Sequence, residues 1–150
     1  MNERERLQRN LATRIGPVAR AWQQLGDAAL ASLDISNSAG WALVHLLRLG
    51  GDVRQGDLAR SIGITEPSLV RTLDRLEEAE LLERRADEQD RRAKHVRLTA
   101  RGIDLGKRID ARLVAVRGEL LAELGDDELS TVVKVLERLS VRIAETADRL

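Results

Sequence analysis

Four arginines carry the most informative chemistry in this 150-residue chain. Arg71 and Arg75 lie one helical turn apart in EPSLVRTLDRLEEA, and Arg91 and Arg92 are adjacent in the charged stretch DEQDRRAK. A guanidinium presents five donors in a rigid fork, which suits phosphate and the acceptor edge of guanine. Two such groups along one helix face, with two more at a loop tip, suit the grooves of a double helix. Asp90 stands beside them as the acid that fixes an arginine's direction through a charge-assisted bond, or else as an ordinary turn aspartate.

Other chemistries lack their residues. There is no cysteine, which rules out disulfides, thiolate zinc sites and thiol-based peroxide sensing. His45 and His95 are the only two histidines and lie far apart in sequence, so no metal centre or cofactor is expected. No Ser/His/Asp constellation is visible, and the paired acids Glu77 and Glu78 read as a solvated helix face; the expectation is a protein that is not an enzyme. Lys plus Arg and Asp plus Glu both total 25, for a net charge of zero. The distribution matters more than the sum. From Arg84 to Arg101 seven basic residues face three acids, whereas from Arg117 onward eight acids face five bases. No apolar run approaches the roughly 18 residues of a membrane span. The opening MNERERLQRN has no signal-peptide core, so a cytoplasmic location without membrane contact is expected.

The elements that must position these residues follow from apolar periodicity. A first helix carries Leu7, Leu11, Ile15, Val18, Trp22, Leu25 and Leu33 on one stripe, with a kink expected at Gly16-Pro17. That stripe suits either a core helix within one chain or one that also meets a partner subunit. Ser36-Asn37-Ser38 caps a second helix bearing Trp41, Leu43, Val44, Leu46 and Leu47, and Gly50-Gly51-Asp52 turns the chain. A short third helix, about Gln55 to Ser61, turns Leu58, Ala59 and Ile62 inward and breaks at Gly63. Thr65 caps the fourth, about Glu66 to Ala79, with Pro67 in its first turn. Leu69, Val70, Leu73 and Leu76 are expected inside that helix, and Ser68, Arg71, Thr72 and Arg75 outside. Strands at Leu81–Arg85 and Lys94–Leu98 form an antiparallel hairpin around a polar tip at Asp87–Arg92. Thr99 caps a long fifth helix, and Gly125-Asp126-Asp127 opens a sixth whose apolar stripe runs to Leu150. A stripe of that kind is expected to bury against a second subunit or an intrachain bundle.

Ala59, Gly63 and Leu69 hold the spacing of a helix-turn-helix: a small residue at the crossing, a turning glycine and a branched anchor. IGITEPSLVRTLDRLE followed by DRRAKHVRLT resembles the MarR family of winged-helix regulators, closely its SlyA branch, over nearly the whole chain. The resemblance implies a mainly α (α+β) fold, a winged helix-turn-helix with long N- and C-terminal dimerisation helices. It implies one domain over residues 1–150. Residues 36–98 would form the DNA-binding lobe, with the helix-turn-helix at about 54–77 and the wing at about 82–98; residues 1–33 and 99–150 would be the dimerisation helices. It further implies a homodimer whose two lobes bind double-stranded DNA at an inverted-repeat operator.

Carried onto matching positions, Thr65, Glu66, Ser68, Arg71, Thr72 and Arg75 belong to the recognition helix. Asp90, Arg91, Arg92 and Lys94 belong to the wing, while Arg54, Gln55 and Ser61 lie near the DNA backbone. Two residues depart from the family pattern. Many members end the recognition helix with a glycine where this chain has Glu80, so a different closure is expected. Glu66 stands where phosphates approach and repels DNA unless it accepts from a cytosine amine. Family members often release DNA when a small anionic phenolic compound binds. Trp22, Trp41 and His45, with Arg14 or Arg20, would form such a site for an aromatic carboxylate, or the tryptophans simply fill the core. The competing function is a winged-helix interaction or adaptor module without DNA binding.

Overall fold

The computed structural model describes residues 2–149. They fall into two compact units, one up to Val116 and one from Arg117. The first unit begins with α1 (Glu3–Ala31), which opens on a capping box: the Asn2 side chain accepts from the Glu5 amide and the Glu5 carboxylate accepts from the Asn2 amide. Pro17 lies inside α1 without ending it, so the helix runs on through the position where a kink is expected. Next come α2 (Asn37–Arg48), β1 (Asp52–Arg54), α3 (Gln55–Ile62), α4 (Glu66–Glu78), β2 (Leu82–Ala86), β3 (Lys94–Leu98) and α5 (Ala100–Leu120). The second unit holds α6 (Asp126–Ala147) and the end of α5. Leu150, the last residue of the expected α6 stripe, lies outside the described residues.

The core is built around α2. Leu43, Val44 and Leu46 are fully buried there, against Leu30 of α1, Leu58 of α3, Leu69 and Leu73 of α4, Val96 of β3 and Ile109 of α5. Removing such a side chain from water contributes about 1.5–3 kcal/mol, so these residues fix the angles at which α3, α4 and the sheet meet. Thr99 caps α5 as expected: its hydroxyl accepts from the Gly102 amide and donates to the Glu80 carbonyl. A Cβ on Gly102 would lie 1.9 Å from the Leu81 carbonyl oxygen, so only glycine lets α5 approach the start of β2 so closely.

The sheet has three strands in the order β1-β3-β2, all antiparallel. β1 falls in a stretch expected to be only turn and helix entry. Its three residues, Asp52, Val53 and Arg54, are too few for alternation to mark them in sequence. Pairing with β3 sets Arg54 opposite His95, and β2 sets Arg85 opposite the same residue. Val70 also departs from expectation. Leu69, Leu73 and Leu76 are buried, but Val70 is 38% exposed, because it lies a third of a turn from Leu69 and faces the groove toward the wing.

Candidate nucleic-acid interface

Gly63 turns the chain between α3 and α4 at φ +83°, the left-handed conformation that glycine adopts without cost. Thr65 then caps α4, its hydroxyl accepting from the Ser68 amide and meeting the Ser68 hydroxyl at 2.8 Å. Along α4, Ser68, Arg71 and Arg75 are exposed, whereas Thr72 is half-buried. Arg71 and Arg75 make no ion pair among the described residues, and neither do Arg91, Arg92 and Lys94 of the wing. Free guanidinium groups on both elements are what a phosphate-lined partner needs.

Not every basic residue of the wing is so placed. Arg84, the least exposed of the ion-paired arginines, joins Glu77 and Asp74 of α4, each at 2.6 Å. The Arg84 hydrogen bond holds the Glu77 carboxyl below its usual range, and Glu77 in turn raises the Arg84 guanidinium. These ion pairs weld β2 to α4. Arg85 pairs with Asp52 and Arg101 with Glu80. Glu80 takes φ +58°, so α4 closes as it would with glycine there: the Leu81 amide donates to the Leu76 carbonyl at 2.9 Å. The expected departure at this helix end is therefore chemical only. The left-handed backbone is retained, with the Thr99 hydroxyl on the Glu80 carbonyl and Arg101 on its carboxylate.

Between the start of α3, the start of α4 and the wing runs a groove of about 740 Å³, walled by Arg54, Arg60, Arg92 and Lys94. Glu66 also lines it, with its carboxylate against Gly56 of α3. Gln55 is buried at the same groove and its side-chain oxygen has no partner. The groove thus brings together Arg54, Gln55, Glu66, Asp90, Arg92 and Lys94 from the expected set. Ser61 lies apart, its hydroxyl 2.8 Å from His45 Nδ1.

Asp87 is the residue that sequence reasoning passed over. It is 7% exposed. Oδ1 accepts from the Gln89 and Asp90 amides at 2.8 and 3.1 Å, and Oδ2 accepts from Arg54 Nε at 3.0 Å. These amides, and secondarily Arg54, hold its carboxyl below the usual range. Asp90, expected to orient an arginine side chain, instead accepts from the Arg92 backbone amide at 3.0 Å. The only sequence hint for Asp87 was an aspartate two residues before Gln89, the spacing of an Asx turn.

A cavity of about 330 Å³ opens on the other side of α4. Trp41, Ile62, Ile64 and Leu69 supply apolar walls, and Gln23, His45 and Thr72 supply hydrogen-bonding groups. The Trp41 indole donates to Asp27 at 2.8 Å, and the His45 ring lies 6.2 Å from that of Trp41. Burial, reinforced by Arg48, pushes the His45 pKa down, so the ring is neutral at pH 7. Of the expected ligand set the cavity gathers Trp41 and His45; Arg14, Arg20 and Trp22 are not among its lining.

The MarR family model matches residues 33–93. The chain is similar to the transcriptional regulator PA3341, at 33% identity over 90% of this chain and 98% of that one, with a TM-score of 0.82. A mutant MarR from E.coli, complexed with operator DNA, shares the fold at 24% identity, covering 87% and 93% with a TM-score of 0.73. So does the organohalide sensing RdhR-CbdbA1625 transcriptional regulator in its 2,4-dichlorophenol bound form, at 24% identity, covering 95% and 85% with a TM-score of 0.73.

Proposed function

This chain belongs to the MarR family of transcriptional regulators, and from that premise we propose that it binds an inverted-repeat DNA operator as a homodimer. The observation that carries the proposal is the set of arginines without acid partners, Arg71 and Arg75 on α4 with Arg91 and Arg92 on the wing. In this reading α4 enters the major groove, where Arg71 and Arg75 meet base edges and Ser68 adds a shorter contact. Arg91 and Arg92 enter the neighbouring minor groove, which attracts guanidinium. Arg54 and Lys94 hold the backbone, a salt-dependent contribution, with Gln55 beside them as a neutral contact. Glu66, in a groove where Asp57 and Asp90 also stand beside Arg54, Arg60, Arg92 and Lys94, selects for a cytosine amine. That the E.coli relative was found complexed with operator DNA supports DNA as the partner.

Uncovered apolar surface supports the dimer. On α1, Leu7, Leu11, Ile15, Val18, Trp22 and Leu25 are 43% to 60% exposed. On α6, taken by itself, no residue is buried and Ile143 is 65% exposed. Contiguous apolar faces of this kind mark an association surface, and a second copy supplies matching ones.

The Trp41 cavity is the effector site of this reading, and it shares a wall with the recognition helix through Leu69 and Thr72. No lysine or arginine lines it and His45 is neutral. In this reading the effector is the phenolic alternative, in its uncharged form, in preference to an aromatic carboxylate, since an unpaired anion against an apolar wall is strongly penalised. RdhR in its 2,4-dichlorophenol bound form supports a phenolic ligand. An occupant pressing on α4 shifts the population toward dimers with the wrong lobe geometry.

Changing Arg91 and Arg92 together to alanine tests the core of the proposal by electrophoretic shift on DNA selected by the wild-type protein. Operator binding should fall about thirtyfold or more, at roughly 1–3 kcal/mol per base contact, with the dimer intact by sedimentation. Unchanged binding would leave the fold as a protein-interaction module.

A further inference from the structure

We propose that Asp87 is the positioning residue of the wing, fixing Arg91 and Arg92 at a set height relative to the helix-turn-helix before DNA arrives. The proposal rests on the reading that those arginines enter DNA. Asp87 is unsuited to touch DNA itself, because its carboxylate is buried and its oxygens are already engaged by three donors. The two oxygens divide the work. Oδ1 draws in the Gln89 and Asp90 amides and so curls the tip back on itself. The curl is closed by the Asp87 amide on the Ala93 carbonyl and the Ala93 amide on the Asp90 carbonyl, both at 3.0 Å. Asp90 then takes the Arg92 amide, which leaves both guanidinium groups without an acid partner at the outer end of the loop.

Oδ2 reaches in the other direction, to Arg54. Arg54 ends β1 and stands at the N-cap position of α3. One carboxylate therefore ties the wing tip to the first turn of the helix-turn-helix, across 33 residues of sequence. His95 packs beside this tie, with Nε2 3.8 Å from Oδ2 and Nδ1 2.5 Å from Asp52. The arrangement also accounts for an acid in a tip meant for phosphates: Asp87 is neutralised by Arg54 and by backbone amides. A tip ordered in advance spares the association its ordering cost.

A double-mutant cycle on the full-length protein tests this, with the affinity for a selected operator fragment measured by fluorescence anisotropy at one salt concentration. Asp87→Ala and Arg92→Ala should each weaken binding about tenfold or more, and the double variant should be only about twofold worse than the weaker single, the non-additivity of residues acting as one unit. Asp87→Asn covers the case of an Asp87→Ala chain that folds poorly. It keeps an oxygen for the two amides and gives up the Arg54 tie, so its loss should be smaller and again non-additive with Arg92→Ala. Additive losses, or wild-type affinity in the folded Asp87 variants, overturn the proposal. If Arg92→Ala alone leaves affinity unchanged, the wing reading itself fails; if it weakens binding while Asp87 variants are neutral or additive, only the positioning role fails.

Discussion

Asp87 and Glu80 show how differently single residues speak from sequence. Glu80 was visible as the non-glycine at a helix end, yet its conformation followed from neighbours: Thr99 and Arg101, about twenty positions away, hold a backbone that costs roughly 1–2 kcal/mol for a side-chain-bearing residue. Asp87 looked like one more acid in a polar tip. Its importance depends on Arg54, brought near by a strand pairing that no local pattern announced. His45 carries a prediction at this scale. Its pKa is lowered by burial and by Arg48, so the unfolded chain takes up a proton at higher pH than the folded one does. The stabilisation is complete above about pH 6.5 and is lost as pH falls from there toward the folded value. Urea unfolding at pH 8 and pH 5.5 should show a stability loss that His45→Gln largely removes. An equal loss in that variant would contradict the burial account.

At the scale of elements, the long periodic helices and their caps were legible, since Thr65, Gly63 and Thr99 act locally. The three-residue β1 was not, and the buried stripe of α4 proved narrower than its apolar pattern, with Val70 turned to the groove. Helix α4 has two working faces: unpaired arginines on one and, through Leu69 and Thr72, a wall of the Trp41 cavity on the other. The cavity's neutral lining makes a prediction. In a Trp22→Phe variant Trp41 is the sole indole reporter, and an uncharged phenol should quench it at pH 7.5 while benzoate does not. A benzoate affinity equal to or above that of the phenol would restore the anionic ligand expected from the sequence.

For the whole molecule, neutral net charge conceals local order. Arg84, Arg85 and Arg101 are spent on ion pairs with α4 and the sheet, and the unpaired cations of α4 and the wing are what remains for a partner. Charge counting found the basic stretch but not which arginines were already engaged, because pairing across the sheet is a tertiary property. The apolar faces of α1 and α6 were legible as stripes, and their exposure supports a second copy as their cover. None of the helices is long and apolar enough to cross a membrane among the described residues. The most direct test of the central claim is a hydroxyl-radical footprint on DNA selected by the full-length protein. A dimer of winged lobes should protect two symmetry-related patches whose centres are about 34–36 Å apart, or a multiple of that spacing, at two chains per site. A single asymmetric patch at one chain per site would contradict the account.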